Sequence, residues 1–274
     1  MAYVSLPTNT PSPVDTEPAV RIDLVRLLGR LDELGAIGAI PGTEGCARLA
    51  LTDDDKAGRD LVVTWMRDLG LTVEIDRIGN VFATLPGTAP DLAPVMTGSH
   101  IDTVATGGRF DGNLGVLAGL EVIETLITDG VRPERSVTVA FFTDEEGARF
   151  APDMLGSLVY VGGLALEDAL DIRAADDGAR LGDELERIGY SGGLPVPTTT
   201  PPHCYVELHI EQGPILEDAG ITVGVVEGVQ GISWTELTIT GRSAHAGTTP
   251  MQLRRDPLLV AARIAAYVRG LTGD

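Results

Sequence analysis

Residues 93–147 read APVMTGSHIDTVATGGRFDGNLGVLAGLEVIETLITDGVRPERSVTVAFFTDEEG, and this stretch decides the fold. A short apolar run at residues 93–97 leads into a glycine-rich loop, a segment with helical spacing at residues 114–130, and a second apolar run from Ser136. Short apolar runs that end in turn residues are typical of buried strands, and helical crossovers join parallel strands. The stretch therefore predicts a strand–helix–strand unit of a mostly parallel sheet.

Helical and extended patterns alternate on both sides of this unit. They predict helices over residues 20–38, 51–70 and 157–170, and strands within residues 71–87 and 204–216. The alternation indicates an α/β domain, which we place at residues 19–227. Ligands of such domains bind beyond the carboxyl ends of the strands, so chemistry is expected in the loops at that edge.

The two ends of the chain differ from this domain. Residues 1–18, MAYVSLPTNTPSPVDTEP, are rich in Pro and Thr and predict a disordered leader without a secretory signal. Near the other end, the sequence predicts a strand over residues 232–241 and an amphipathic helix over residues 256–271. One strand and one helix have too few partners to bury both, so residues 228–274 are expected to be the start of a smaller α+β domain.

Composition excludes several functional classes. The 274-residue chain has a formal net charge of −20 at pH 7, which argues against a nucleic-acid partner because nucleic-acid-binding proteins present a basic face to phosphates. No run approaches the roughly 20 apolar residues that span a bilayer, so we expect a soluble protein without a membrane role. Two cysteines, Cys46 and Cys204, are too few for a disulfide framework and favour the reducing cytoplasm.

Imidazole and carboxylate side chains collect just after three predicted strands, in GSHID, TDEEG and HIEQG. Because strand ends of one sheet share an edge, these side chains are expected to converge. The mixture suits zinc, with manganese or cobalt as substitutes, and the lack of a nearby cysteine argues against a thiolate zinc site. The candidates are His100, Asp102, Asp111, Glu145, Glu146 and His209.

The spacing of these residues suggests distinct roles. Asp102, two residues beyond His100, could hold the far ring nitrogen of that histidine and fix its tautomer. The glycines around Asp111 would let its carboxylate move inward, and a carboxylate shared by two metal ions would lower their repulsion and help a bridging water ionise. Glu145 and Glu146 are expected to point in opposite directions, so one could bind metal while the other handles a proton.

Each residue also has a simpler structural interpretation. A histidine at a strand end is more often only hydrogen-bonded, an acidic pair can be a solvated turn, and a lone aspartate can form an Asx turn. The acidic triplet of residues 53–55 is explained by favourable electrostatics at a helix start. His203, in a Pro-flanked loop, is interpreted as a surface residue. The joint placement of the other candidates at strand ends favours a metal site.

Four segments resemble, in order, motifs of the hydantoinase/carbamoylase family of amidohydrolases: residues 98–116, 142–157, 207–217 and 241–256. The likeness extends from about Ala36 to the end and includes IDRIGNVFA. The family holds N-carbamoyl-L-amino acid hydrolases, allantoate amidohydrolases and some β-ureidopropionases, within the dinuclear-zinc aminoacylase and carboxypeptidase clan. The resemblance implies a three-layer catalytic domain with helices on both faces of the sheet, and a smaller lid domain that dimerises.

The resemblance implies two divalent metal ions, zinc or manganese or cobalt. His100 and His209 would bind one ion, Asp111 would bridge the two, and Glu146 would bind the second. Asp102 would support His100.

Three further residues match positions near the substrate in the resembling family. Glu145 would be the general base that activates water and later protonates the departing nitrogen. Gln212 matches a position beside the substrate. His245, in SAHAG, matches a lid histidine that polarises the substrate or stabilises the oxyanion across a homodimer.

The implied activity is hydrolysis of a linear C–N bond in an N-carbamoyl-L-amino acid or a ureido acid such as allantoate, by metal-bound hydroxide. Family members continue further, so the chain is expected to be an N-terminal portion whose second metal site lacks its last histidine.

Two alternatives are a catalytically silent fragment that binds one metal ion or a partner, and a peptidase or aminoacylase of the same clan. The short interval from His100 to Asp111, and His209 where peptidases place an acid, favour the carbamoylase branch.

Overall fold

The computed structural model describes residues 2–5, 20–231 and 235–271, with only the backbone for the first of these ranges. The chain forms two compact units. Of the described residues, 20–215 belong to the larger unit, and 2–5, 216–231 and 235–271 belong to the smaller one.

The described strands and helices follow the predicted alternation only in part, because several strands and several helices are consecutive along the chain. The strands are β1 (Ala2–Ser5), β2 (Gly45–Cys46), β3 (Thr72–Ile75), β4 (Val81–Leu85), β5 (Val95–His100), β6 (Gly107–Gly108), β7 (Val137–Phe142), β8 (Cys204–Val206) and β9 (Gly224–Gly228). The helices are α1 (Leu24–Gly35), α2 (Asp53–Asp68), α3 (Asn113–Thr128), α4 (Leu155–Tyr160), α5 (Leu166–Leu170), α6 (Leu181–Ile188), α7 (Ile215–Asp218) and α8 (Pro257–Leu271), with a 3₁₀ turn at Met251–Leu253.

Five strands of the larger unit form one sheet in the order β3-β4-β7-β5-β8. β5 pairs in parallel with both β7 and β8, whereas β4 pairs antiparallel with both β3 and β7. The sheet is therefore mixed, and the prediction of a mostly parallel sheet is corrected. The five residues between β3 and β4 are too few for a helical crossover, so these two strands must run in opposite directions.

The strand–helix–strand unit predicted from residues 93–147 is confirmed as β5, α3 and β7. The register places Gly98 opposite Ala140 and His100 opposite Phe142. α3 buries an apolar face that includes Leu117, Leu120 and Ile123 in the main core cluster. Because α3 packs on β5 and β7, it fixes the loops at their carboxyl ends.

Other helix predictions are confirmed with one change. α1 and α2 lie inside their predicted ranges, and the side chain of Thr52 caps α2 by accepting from the main-chain N–H of Asp55. The helix predicted over residues 157–170 is instead two short helices, α4 and α5. Gly162 and Gly163 separate them, because glycine is costly inside a helix.

The smaller unit departs from the sequence predictions at two places. β1 pairs antiparallel with β9, so four residues of the predicted disordered leader are ordered, while residues 6–18 lie outside the described residues. Of the strand predicted over residues 232–241, residues 232–234 lie outside the described residues and residues 235–240 are not a strand. The described chain offers that segment no partner strand, and an extended segment needs one for its main-chain hydrogen bonds.

α8 confirms the helix predicted near the end of the chain. The three-layer arrangement and the lid domain stay predictions. Within the described ranges, no helix is both long and apolar enough to cross a bilayer. Cys46 is buried and Cys204 is exposed, and neither forms a disulfide.

We predict that Gly98→Ala destabilises the larger unit by about 2 kcal/mol or more, because an added Cβ would overlap the carbonyl oxygen of Ala140 on the neighbouring strand. Gly108→Ala is the matched control, since nothing lies within 4 Å of its Cβ position. Chemical denaturation followed by circular dichroism measures both free energies of unfolding. Equal stability of the two variants would contradict the close β5–β7 contact.

Candidate metal centre

Three potential metal ligands meet where β5 and β8 end. His100 is the last residue of β5, Asp111 lies in the loop before α3, and His209 follows β8. One ligand atom from each residue lies within 4.8 Å of the others. The two imidazole rings are stacked, with centroids 6.1 Å apart. The sheet brings these three side chains together as predicted, because β5 and β8 are hydrogen-bonded neighbours.

The buried ring of His100 is held in one tautomer. Its Nδ1 lies 2.9 Å from the main-chain oxygen of Asp102, so Nδ1 carries the hydrogen and donates it to that carbonyl. The lone pair on Nε2 then faces the Oε2 atom of Glu145 at 3.3 Å. Two electron-rich atoms at this distance repel each other unless a cation or proton lies nearby.

His209 has a corresponding arrangement. Its Nδ1 lies 2.9 Å from the main-chain oxygen of Ile210, and its Nε2 lies 3.4 Å from the Oδ1 atom of Asp111. The second oxygen of Asp111 accepts a hydrogen bond from the side-chain amide of Gln212 at 2.6 Å. Gln212, predicted to lie beside the substrate, therefore contacts the carboxylate that was predicted to bridge two metal ions.

The carboxylate of Asp102 supports a different group from the one predicted. It lies 3.9 Å from Nδ1 of His100, which is too long for a hydrogen bond. Its two oxygens instead accept the main-chain N–H groups of Glu145 and Glu146, each at 3.2 Å. The prediction named the correct ring nitrogen, Nδ1, but the wrong oxygen of Asp102. The main-chain oxygen of Asp102 accepts the hydrogen bond from Nδ1, so the carboxylate does not.

The loop after β7 is held from two sides. Beside the bonds to Asp102, the main-chain N–H of Thr143 donates to the buried side chain of Asn80 at 2.9 Å. Asp144 adopts a left-handed conformation with φ +53°, which is costly for a non-glycine residue and persists only where its surroundings impose it. The loop presents Glu145 toward His100, with 35% of the side chain exposed.

The electrostatics of the site favour an added positive charge. Burial raises the pKa of Glu146 to about 7; His100 opposes this shift and Asp111 adds to it. Burial also raises the pKa of Glu145, against the lowering effect of His100. Burial lowers the pKa of His100, but the carboxylates of Asp102 and Glu145 raise it overall. Within the described part of the chain, no lysine or arginine forms an ion pair with these acids.

The residues present fit a divalent cation. Two buried carboxylate oxygens, Oδ1 of Asp111 and Oε1 of Glu146, have no hydrogen-bond donor among the described residues. Buried polar atoms are normally paired, so these oxygens require a partner. Imidazole nitrogen and carboxylate oxygen are the donor types that zinc, manganese and cobalt accept. Glu146 lies outside the group of three ligands, so its predicted role at a second ion stays a prediction.

Glu207 is a residue of this site that the sequence analysis missed. Its two oxygens accept from the hydroxyls of Ser99, through a very short bond, and Tyr205, at 3.0 Å. With Glu145 it lines a cleft of about 480 Å³ whose walls include Phe142. The signal was present in the sequence, because residues two apart on an extended segment point the same way, and Glu207 lies two before His209.

The remaining candidate, His245, lies in the smaller unit. Its Nδ1 accepts the main-chain N–H groups of Gly247 and Thr248 at 3.0 and 3.1 Å, which leaves the hydrogen on Nε2. His203 is exposed, as expected of a surface residue.

Comparison with known proteins shows the family of this chain. It belongs to the peptidase family M20/M25/M40, whose family model matches residues 96–272. It is 46% identical over 250 residues to the N-carbamoyl-L-amino-acid amidohydrolase of Rhizobium meliloti, covering 91% of this chain and 59% of the relative. It is also 46% identical over 246 residues to the N-carbamoyl-L-amino acid amidohydrolase of Geobacillus stearothermophilus, covering 89% and 59%.

A solved structure supports the same relationship. The crystal structure of an amidase of the hydantoinase/carbamoylase family from Burkholderia multivorans matches with a TM-score of 0.77 and 45% identity, over 92% of this chain and 61% of that chain. The resemblance found in the sequence motifs is therefore confirmed. The chain spans 59% of the length of both curated relatives.

We predict that Gly112→Ala weakens metal binding at least about 10-fold, because an added Cβ would overlap the ring of His100 and displace it. Gly42→Ala is the matched control: both glycines have positive φ, +64° and +78°, but nothing lies within 4 Å of the Cβ position at Gly42. Titration with Co²⁺, followed by visible absorption, measures both affinities. Equal weakening in the two variants would assign the effect to backbone strain.

Proposed function

We propose that this chain carries the catalytic metal centre of an amidohydrolase that cleaves a linear C–N bond of N-carbamoyl-L-amino acids or related ureido acids. One observation carries the proposal: His100, Asp111 and His209 converge beside a carboxylate, that of Glu145, whose main chain is held by Asp102. The names of the two bacterial relatives support the substrate class.

The proposed ligands divide between two ions. His100, His209 and Asp111 would hold one, and Asp111 and Glu146 would contribute to the second. A bound divalent ion supplies Lewis acidity, which polarises a carbonyl and makes a water easier to ionise. Gln212 fixes the orientation of Asp111 through its amide hydrogen bond, so that the other oxygen remains directed at His209.

Glu145 is the proposed general base. It is partly exposed, it faces the imidazole of His100, and it lines the cleft beside the candidate metal centre. Its carboxylate would accept a proton from the attacking water and return that proton to the departing nitrogen. Asp102 supports this role by fixing the main chain on which Glu145 stands.

His245 is the proposed donor to the substrate carbonyl. Because its Nδ1 accepts two main-chain N–H groups, Nε2–H is available to donate to a developing oxyanion. Gln212 also belongs to the proposed substrate site. The homodimer that the resemblance implies stays a prediction.

We predict that Glu145→Gln lowers the turnover of an N-carbamoyl-L-amino acid at least about 100-fold, because an amide cannot accept the proton. Metal content should remain that of the unsubstituted protein, since the amide keeps the shape of the side chain. The assay follows release of the free amino acid with zinc, manganese or cobalt present, and an N-acyl dipeptide serves as the comparison substrate. Unchanged turnover in the variant would remove Glu145 from the base role, and preference for the dipeptide would favour a peptidase.

A second candidate function is metal binding without turnover. It is favoured by the finding that the described residues contain one group of three ligands, which suffices for one ion.

We predict that His209→Ala weakens zinc binding at least about 10-fold, whereas His203→Ala leaves it unchanged, because only His209 belongs to the group of three. Isothermal titration calorimetry gives the dissociation constant and stoichiometry. One zinc ion per chain together with no release of amino acid from any ureido substrate would support the second candidate. Equal binding by both variants would contradict the metal centre itself.

A further inference from the structure

Arg48 is a fully buried arginine whose guanidinium joins two loops of the proposed metal centre. Its Nε donates to the main-chain oxygen of Ile101 at 2.8 Å, and its Nη2 donates to the side-chain oxygen of Asn113 at 2.9 Å. Its Nη1 donates to the carbonyls of Leu34 and Ile37 at 2.9 and 2.8 Å. The guanidinium therefore holds three separate segments of the chain at once.

Two of these segments carry proposed ligands. Ile101 lies between His100 and Asp102, and Asn113 lies two residues beyond Asp111. The Asn113 amide extends the connection, because its Nδ2 donates to the main-chain oxygen on the other side of Asp111, at residue 109, at 3.0 Å. The main-chain N–H of Asn113 donates to the carbonyl of Asp111 itself at 2.6 Å.

The main chain of Arg48 adds two bonds to the same loop. Its N–H donates to the hydroxyl of Thr103 at 2.7 Å, and its carbonyl accepts from the N–H of Thr103 at 2.9 Å. Side chain and main chain together therefore fasten the residues that follow His100. The turn at Gly112 lies directly against the His100 ring, so the two loops have little room to move independently.

The chemistry of Arg48 is poorly suited to a role in stability alone. All its hydrogen-bond partners, which also include the thiol of Cys46 at 3.4 Å, are uncharged, and among the described residues no carboxylate forms an ion pair with it. A buried charge without a counter-ion is costly, and an apolar side chain of similar volume is often at least as stabilising. What an apolar residue or a lysine cannot reproduce is the rigid planar fork that reaches several acceptors in fixed directions.

We propose that Arg48 is a positioning residue, which sets the separation between His100 and Asp111 by bonding the loop of the first to the turn of the second through Asn113. This inference rests on the proposed metal centre. It assigns Arg48 no contact with metal or substrate.

The test is Co²⁺ binding by the purified full chain and by two variants, Arg48→Lys and Asn113→Ala. Arg48→Lys keeps the positive charge but removes the planar guanidinium and its fixed donors. Asn113→Ala keeps Arg48 and removes its bond to the Asp111 turn. Each variant should raise the Co²⁺ dissociation constant about 10- to 100-fold and shift the visible band that reports ligand geometry. The double variant should be little weaker than Arg48→Lys alone, because that change already breaks the bond to Asn113 that Asn113→Ala removes.

Arg59→Lys is the matched control, because Arg59 is equally buried but bonds to Asp55, the carbonyl of Gly79 and the hydroxyl of Thr143, and to neither the loop after His100 nor the turn at Asp111. The control should bind Co²⁺ as the unsubstituted chain does, with the same visible band. Unchanged affinity and band in Asn113→Ala, or equal weakening in the control, would overturn the role of Arg48. If the unsubstituted chain failed to bind Co²⁺, the proposed metal centre would fall instead, so the two failures are distinguishable.

Discussion

The parallel pairing of β5 with both β7 and β8 is the constraint on which the rest of the site depends. It places three strand ends side by side, and every proposed ligand of the larger unit lies at one of these strand ends or on the segment that follows it. α3 fixes that edge from one side by packing on β5 and β7. The close β5–β7 approach at Gly98 leaves no space for a side chain, so the loops begin from a rigid base.

The loops themselves are held by polar groups that are not ligands. Asp102 accepts the main-chain N–H groups of Glu145 and Glu146, Asn80 accepts that of Thr143, and Arg48 binds the carbonyl of Ile101. Each of these side chains is buried and bonds mainly to main-chain atoms. The site is therefore shaped by hydrogen bonds that fix the backbone, while the groups proposed for chemistry remain directed at one another.

Hydrophobic periodicity predicted the part of this arrangement that depends on local pattern. β5, α3, β7 and α8 were predictable, and so was the meeting of His100, Asp111 and His209, because strand ends of one sheet share an edge. The reversal of β4 was missed, because hydrophobic periodicity marks an extended segment and not the direction in which it runs. The partner of Asp102 was also unpredictable, because it depends on where the main chain of a distant loop comes to lie.

The proposed metal centre brings several hydrogen-bond acceptors close together, and this affects the stability of the folded chain. Around His100 and His209, imidazole lone pairs face carboxylate oxygens, and the mutual repulsion opposes the compact state whenever nothing positive lies between them. Any ion captured only by the native conformation stabilises it through mass action, in proportion to the logarithm of its free concentration. Through the proposed metal centre, the melting temperature of this protein would depend on the supply of divalent ions around it.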